Sequence, residues 1–181
     1  MGGKKPVTVY QGGSCDAIPT ISYISQKCNE GAMYFSEYED LAPASGLTTY
    51  IHFKTGAKDL HLSQVIIALG GVLSCQWYKV PELGTVGTVI SIYNRNAHYS
   101  DDDTETKIYL NSTVVTVGTV LFGPKRTVLA GATNQAIVIE GIESSVKRIL
   151  LPDTDYLVAY TVEAADMKFT VEYTMYEECC V

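Results

Sequence analysis

The sequence predicts an all-β protein: an antiparallel β-sandwich of jelly-roll or immunoglobulin-like kind, preceded by an extended N-terminal arm. The first observation is composition. Val, Ile, Thr, Tyr, Phe and Trp account for 67 of the 181 residues, and branched and aromatic side chains fit a pleated surface better than a helix face. The second is periodicity, since short apolar or alternating segments recur between turns and no segment keeps a capped 3.6-residue period. Strands without crossover helices pair antiparallel, so two packed sheets are expected, with a closed barrel as the alternative.

The N-terminal arm is predicted for residues 1–45, which are rich in Gly and Pro and show little periodicity beyond a short strand at 21–24. Two interpretations stay open: a disordered terminus, or an arm that docks on a partner such as a neighbouring subunit. Apolar side chains suited to such docking are spread along the arm. They are Val7, Val9, Tyr10, Ile18 and Ile21.

The sandwich is predicted for residues 46–181, as nine or ten short strands. The predicted segments are 49–55, 64–69, 72–78, 85–93, 106–110, 114–122, 126–129, 136–139, 156–162 and 168–175. The last is the clearest, because polar and apolar residues alternate along its whole length. The long uncharged segment 60–78 contains Gly70-Gly71 and several polar residues, so it predicts two buried strands around a turn and not a membrane span. Leu73, Cys75 and Trp77 share one face and are predicted to point into the core.

A short internal repeat lies in the middle of the chain. Residues 85–90 read Thr-Val-Gly-Thr-Val-Ile, and residues 116–121 read Thr-Val-Gly-Thr-Val-Leu, 31 positions later. Two copies are too few for a solenoid. The repeat indicates two equivalent hairpin edges.

Charge and cysteine content exclude several partners. A net charge of −7 argues against nucleic acid, whose binding relies on clustered Lys and Arg, and against an anionic membrane surface. No secretory signal is apparent, since Lys4 and Lys5 are followed by Pro6 and a Gly-rich stretch. The five cysteines are therefore expected to be reduced. The lack of a C-x-x-C pair argues against a bound zinc ion.

The search for catalytic chemistry is negative. The sequence has no nucleophile elbow, Walker loop, zinc-protease or EF-hand motif. His52 and His61 fall on predicted strands. Histidines on strands usually form hydrogen bonds within the fold and do not take part in catalysis. The carboxylates of Asp101–Asp103 could supply oxygen ligands for a calcium ion. The segment lacks the ligand spacing of a calcium-binding loop, so we expect a solvated loop tip. We predict no catalytic residue, no cofactor and no metal site.

The thirteen tyrosines leave two interpretations open. Tyr offers a large, rigid contact area with a polar end and is enriched at protein interfaces. Tyrosines also cover the faces of sheets. Several of them fall outside the predicted strand cores, at Tyr10, Tyr23, Tyr34, Tyr38, Tyr99 and Tyr176.

Several short phrases follow one another in a set order from about residue 27 to 177. They are Asn29-Glu30-Gly31-Ala32-Met33-Tyr34, Ile51-His52-Phe53-Lys54-Thr55-Gly56, Leu60-His61-Leu62, Gly87-Thr88, Tyr93-Asn94-Arg95-Asn96, Gly118-Thr119, Leu150-Leu151-Pro152-Asp153-Thr154-Asp155-Tyr156-Leu157 and Tyr176-Glu177. Their order resembles a family of small β-sandwich virion proteins of tailed bacteriophages, which are generally treated as head decoration or other structural proteins.

This resemblance implies a non-enzymatic capsid decoration protein that binds the major capsid protein and stabilises the head. A homotrimer on the virion surface, made in the host cytoplasm, is the expected form. The family supplies no cofactor and no catalytic set. The alternative is a receptor- or carbohydrate-binding β-sandwich of a phage tail or head fibre, and a small hydrolase is the third hypothesis.

Overall fold

The computed structural model describes residues 23–41, 43–140, 148–163 and 167–178. Strands make up 97 of the 145 described residues, against 10 in helical turns, which confirms the predicted all-β class. The elements, in chain order, are α1 (Tyr23–Asn29), β1 (Met33–Asp40), β2 (Thr48–Lys54), β3 (Asp59–Lys79), β4 (Glu82–Thr85), β5 (Thr88–Ile90), β6 (Tyr93–Asn94), a 3₁₀ turn (Asp101–Asp103), β7 (Lys107–Leu110), β8 (Thr113–Thr116), β9 (Thr119–Glu140), β10 (Arg148–Leu150), β11 (Asp155–Val162) and β12 (Lys168–Glu178).

The main sheet is antiparallel and curls until its two ends meet. Its strand order is β5-β7-β2-β11-β3-β12-β1-β6, with β9 and β10 also paired to β3. The terminal strands β5 and β6 are separated in the chain only by Ser91 and Ile92. The Ser36 hydroxyl on β1 donates to the Ser91 carbonyl across this junction at 2.9 Å. The two halves of the curled sheet therefore face each other like the layers of a sandwich.

The strand β3 is one continuous strand of 21 residues that pairs with four other strands. The prediction of two strands around a Gly-Gly turn is wrong at this point, because Gly70 and Gly71 bend the strand without reversing it. Their φ angles of 74° and 155° lie where residues with a Cβ are disfavoured. The first half of β3 pairs with β12 and the second half with β11, so this one strand belongs to both halves of the sheet.

Other predicted strand limits shift for a similar reason. The predicted strands at 126–129 and 136–139 both lie inside the single strand β9. The predicted strand at 114–122 is divided between β8 and β9 at Gly118. A strand ends before Gly118, whereas β9 continues through its own glycines because it stays paired with β3.

The core lies between the two halves of the sheet and is rich in aromatic rings. The predicted inward residues Leu73, Cys75 and Trp77 are 0%, 4% and 2% exposed, which confirms that assignment. Across the interior, the rings of Phe53 on β2 and Tyr173 on β12 meet edge to face with centroids 4.9 Å apart. Such edge-to-face pairs add to the stability gained from burial alone.

A buried polar group occupies the middle of this core. The side-chain oxygen of Gln64 accepts hydrogen bonds from Trp77 Nε1 at 3.2 Å and from the Arg148 guanidinium at 2.6 Å. That guanidinium also lies 5.0 Å from the Trp77 ring centroid, a cation–π contact. The hydroxyls of Tyr160 and Tyr173 are 2.6 Å apart, and burial raises the pKa of both phenols well above the usual value. Both phenols therefore stay neutral.

The internal repeat forms one two-stranded ladder with an approximate twofold axis. Residues 77–90 run antiparallel to residues 108–121 throughout, as β3 with β9, β4 with β8 and β5 with β7. The pair Tyr78–Val120 corresponds to the pair Tyr109–Val89 after a shift of 31 positions. The axis passes through the pair Leu83–Val114 at the middle of β4 and β8. The repeated segments are thus the two strands of one ladder, and not two separate hairpin edges.

The glycines of the repeat sit where the two strands of the ladder approach each other most closely. A Cβ on Gly87 would lie 1.9 Å from the Leu110 carbonyl oxygen, and one on Gly118 would lie 2.4 Å from the Lys79 carbonyl oxygen. Gly118 also has a positive φ of 81°. Only glycine fits these two joints without moving the backbone.

The predicted domain boundary near Gly46 is wrong for residues 33–40. These form β1, which lies between β12 and β6 in the main sheet, with Met33 and Tyr34 buried in the core. The short strand predicted at 21–24 is also wrong where it is described, since α1 begins at Tyr23. The alternation along β1 is weak, because Ser36 is buried while Phe35 is only half-buried. Residues 1–22 lie outside the described part of the chain.

We predict that Trp77→Ala lowers the free energy of unfolding by about 3–5 kcal/mol, as large core truncations do. The substitution leaves a cavity in the core and removes the ring on which the Arg148 guanidinium packs. Urea denaturation followed by circular dichroism measures the change. A loss below about 1 kcal/mol would contradict the placement of Trp77 in the core.

A second stability prediction compares a glycine whose substitution only strains the backbone with one whose substitution also causes a steric clash. Gly46 and Gly118 both have a positive φ, but a Cβ on Gly46 meets nothing within 4 Å. Gly46→Ala should cost about 1–2 kcal/mol from the left-handed conformation alone. Gly118→Ala should cost at least about 1 kcal/mol more, because its Cβ collides with backbone that cannot rotate away. Equal losses of the free energy of unfolding would show that the joint is not tightly packed.

Candidate functional site

An exposed apolar surface follows the repeated ladder. We call residues 80–90 and 111–121 the ribbon; it contains β4, β5, β8 and the start of β9. Among the valines whose exposure is described, every one exposed by more than half of its surface belongs to this ribbon. They are Val80 (64%), Val86 (58%), Val89 (60%), Val115 (59%) and Val120 (55%). Exposed apolar side chains concentrated in one part of a fold are typical of contacts with other molecules.

The ribbon has an inner and an outer face. Leu83 and Val114, the pair on the twofold axis, are half-buried. Gly84, Thr113 and Val115 lie together on the opposite face, and all three are exposed. The outer face therefore presents Val and Thr side chains to solvent, while the inner face turns toward the body of the protein.

The ribbon spans the two strands β11 and β2. At one end the Val80 N–H donates to the Asp155 carbonyl on β11 at 2.9 Å, and at the other the Asn111 N–H donates to the Tyr50 carbonyl on β2 at 3.0 Å. On the side of these strands that faces away from the core, His52 and Leu157 are 1% and 0% exposed. The inner face of the ribbon is in position to cover them, which makes the ribbon a short outer layer.

The edges of the ribbon carry little protection against pairing with another chain. In the part of the chain that is described, β4 and β8 pair only with each other. Glu82 is the one charged residue in the ribbon, and no charged residue occurs from 108 to 124. Exposed strand edges are usually guarded by charges, bulges or covering elements. The ribbon is therefore suited to contact with another protein.

The two strand histidines are bonded within the fold. His52 Nε2 lies 2.7 Å from the Asp155 carboxylate, and its ring stacks on Tyr109 at 5.3 Å. His61 Nδ1 lies 3.0 Å from the Tyr176 hydroxyl, with the rings stacked at 4.5 Å. These contacts fix neighbouring strands to each other.

The acidic segment Asp101–Asp103 forms a 3₁₀ turn at the surface. The Asp101 carboxylate accepts the Asn94 N–H, and the Asn94 amide donates to the Gly31 carbonyl at 2.7 Å. Asp101 and Asp103 are exposed, as expected for a solvated loop tip. Among the described residues no group of three or more His, Cys, Asp or Glu side chains could hold a metal ion.

A shallow groove of 420 Å³ lies beside the junction of β5 and β6. Its walls come from β1 on one side and from β5 and β6 on the other. The lining residues are Phe35, Glu37, Glu39, Ile90, Ser91 and Tyr93. Tyr93 is 53% exposed and lies directly opposite Phe35 in the ladder between β1 and β6. An exposed aromatic ring beside carboxylates can bind a sugar, because the ring can pack against the sugar and the carboxylates can accept hydrogen bonds from its hydroxyl groups.

The residues predicted for a docking arm, Val7, Val9, Tyr10, Ile18 and Ile21, lie outside the described residues. Among the tyrosines considered for an interface, Tyr34 and Tyr176 are core residues, 4% and 1% exposed, and Tyr99 is 44% exposed. Burial, with help from Glu177 and Asp103, raises the pKa of Tyr34 to about 12. Of the eleven tyrosines whose exposure is described, five are buried, four are half-buried and two are exposed, so they do not form an outer contact surface.

The sequence analysis did not identify the ribbon valines as surface residues. They lie in segments that read as buried strands, because Val and Thr are typical of strands on either face. The signal that could have found them is the repeat itself. Two copies of one strand, each with a glycine before its second half, indicate a ladder paired with itself.

No family model, curated protein or solved structure matches this chain. In addition, no helix among the described residues is long and apolar enough to cross a membrane.

Proposed function

We propose that this chain is a non-enzymatic structural protein of a bacteriophage virion, a capsid decoration protein that binds the major capsid protein and stabilises the head. The observation that carries the proposal is the exposed Val and Thr surface of the ribbon. A protein that works by adhesion needs an apolar, protein-sized contact surface and no reacting group. Many weak copies acting together on one shell can stabilise it strongly.

The phrases that resemble the phage family support a shared scaffold, because they fix strand ends. The Thr55 hydroxyl donates to the Leu151 carbonyl at 2.8 Å and accepts the Thr154 N–H at 2.9 Å. The Asn96 amide donates to the Cys28 carbonyl at 3.1 Å. Each phrase holds one turn against a segment that is distant in the sequence. Such residues belong to a structural protein more naturally than to a catalytic site.

The glycine phrases of the resemblance lead directly to the ribbon. Gly87-Thr88 and Gly118-Thr119 lie where the two strands of the ladder approach each other closely. Two phrases of the resemblance therefore belong to the proposed capsid contact.

A homotrimer that sits around local threefold axes of the shell is the proposed assembly. Each subunit would bring one ribbon to the capsid surface. A stable contact with a capsid protein buries about 1,200–2,000 Å² in all, and three ribbons together approach such an area more readily than one.

The second candidate function is a receptor- or carbohydrate-binding module of a tail or head fibre. The groove at Phe35, Glu37 and Tyr93 favours it, because carbohydrate sites combine an aromatic platform with polar groups. The capsid role is preferred because the ribbon offers a larger and more apolar surface than the groove does.

We predict that the triple variant Val86→Thr, Val115→Thr, Val120→Thr binds phage heads at least tenfold more weakly than the unmodified chain. Threonine keeps the branched shape and the strand preference but removes apolar area, and each buried methyl group contributes about 0.8 kcal/mol. The measurement is occupancy on purified heads that lack the protein, after addition of the full chain at increasing concentration.

The matched control replaces three exposed apolar residues outside the ribbon, Leu47, Ile149 and Leu151, with Thr. This variant should bind heads like the unmodified chain. Equal binding by the ribbon variant would refute the ribbon as the contact. Failure of the unmodified chain to bind any head, together with retention on a glycan surface, would favour the second candidate.

A further inference from the structure

The groove beside the junction of β5 and β6 continues the surface of the ribbon. Ile90, the last ribbon residue on β5, lines this groove together with Tyr93. Tyr93 also lines a second depression of 260 Å³, which includes the exposed ribbon residue Val89. A partner that lies on the ribbon would therefore extend into the groove, because the two surfaces adjoin.

The wall of the groove that β1 forms carries negative charge that the fold does not balance. Glu37 and Glu39 line the groove, and both are exposed. Glu37 also lies directly opposite Glu172 of β12 in the ladder, an arrangement of like charges that destabilises a sheet. None of these three carboxylates forms an ion pair with another described residue. Local arrangements that cost stability are expected where a protein contacts another molecule.

The aromatic wall of the groove already carries one guanidinium group. The Arg95 Cζ lies 5.7 Å from the centroid of the Phe35 ring, and Phe35 lines the groove. Tyr93, the ladder partner of Phe35, is 53% exposed. A guanidinium stacks on aromatic faces and can also bind a carboxylate through two parallel hydrogen bonds. The Tyr93 ring beside Glu37 and Glu39 offers both contacts to a second guanidinium.

We propose that the groove binds an arginine side chain of the protein on which the ribbon lies. The guanidinium packs on the Tyr93 ring and pairs with Glu37 and Glu39, which share one face of β1 two residues apart. The backbone of the partner segment lies over Ile90 and Ser91. The inference rests on the proposed function for the identity of the partner, the major capsid protein, and adds the chemistry that the partner presents at this place.

Charge and shape favour arginine over other occupants. The chain has a net charge of −7, so a basic surface is attracted to it at long range. The second depression holds one acidic and one basic residue, Asp101 and Lys107, so the excess negative charge lies on the β1 side of Tyr93. A lysine ammonium has no flat face to pack on an exposed ring. A neutral sugar would pack on the ring but leave the opposed carboxylates unbalanced.

The first test measures binding of a probe in solution and does not depend on phage heads. The probe is a short blocked peptide with one arginine among serine and threonine residues. Its matched control carries citrulline, the uncharged analogue, in place of arginine. In an NMR titration of the full chain, the arginine peptide should shift the signals of Tyr93 and Glu37. The citrulline peptide should bind at least about fivefold more weakly, since it loses the charge that the ring and the carboxylates attract.

Substitutions in the groove separate this site from general attraction to an acidic protein. Glu37→Gln, Glu39→Gln and Tyr93→Leu should each weaken binding of the arginine peptide at least about threefold, whereas Tyr93→Phe keeps the ring and should bind normally. The matched control Glu82→Gln removes an exposed carboxylate from β4 and should leave binding unchanged. Equal losses in the control, or equal binding of the two peptides, would overturn the proposal. Shifts at the groove with maltose and none with the arginine peptide would overturn it in favour of the second candidate function.

The opposed glutamates give a second readout that needs no ligand. Glu37→Gln should raise the melting temperature of the free chain by about 1–3 °C, because it removes repulsion from Glu172. Glu39→Gln should raise it less, since the ladder partner of Glu39 is Thr170. A lower melting temperature for Glu37→Gln would show that this carboxylate stabilises the fold, which would overturn its assignment to binding.

Binding to phage heads distinguishes this inference from the proposed function. Weaker head binding by both Glu37→Gln and the triple valine variant would support the two together. Weaker binding by the valine variant alone would leave the capsid role standing and refute the arginine site. An unmodified chain that binds the arginine peptide but no head would refute the capsid role and leave the arginine site standing.

Discussion

The bend of β3 at Gly70 and Gly71 is the constraint on which the rest of the fold depends. Because the strand continues through the bend, its first half holds β12 and its second half holds β11. The inward positions change from even to odd numbers at the bend, from Leu60 and Leu62 to Leu73 and Trp77. A residue with a side chain at either glycine would resist this change of direction, and the two halves of the sheet would no longer enclose one core.

The polar group around Gln64 fixes how these halves meet. Gln64 belongs to the first half of β3, and Trp77 to the second, while Arg148 comes from β10. A buried guanidinium is costly unless it is well bonded, so this group tolerates only arrangements in which all its contacts are made. We regard it as a device that selects one packing of the two halves among the many that apolar contacts alone would allow.

The sequence predicts well those strands whose two faces differ in polarity. β12 was found because Lys168, Thr170 and Glu172 alternate with apolar residues, and its inward face follows from that pattern. β1 was missed because Ser36 is buried while Phe35 is not, which weakens the alternation. The bend of β3 was read as a turn, since Gly-Gly has the same composition in both. Strand propensity alone does not identify the ribbon as a surface, because it does not record which face of a strand meets solvent.

The position of β12 has a consequence for how the chain folds. β12 is the last strand in chain order, yet it lies in the sheet between β3 and β1, and pairs Met33 with Tyr176. Contacts between residues so far apart in sequence make folding slow. During synthesis β1 and the first half of β3 must wait with open edges until β12 has been made, and chains in that state are prone to aggregate. The sheet therefore closes only once β12 has been made, and the yield of folded protein in a cell depends on how long those edges stay apart from other chains.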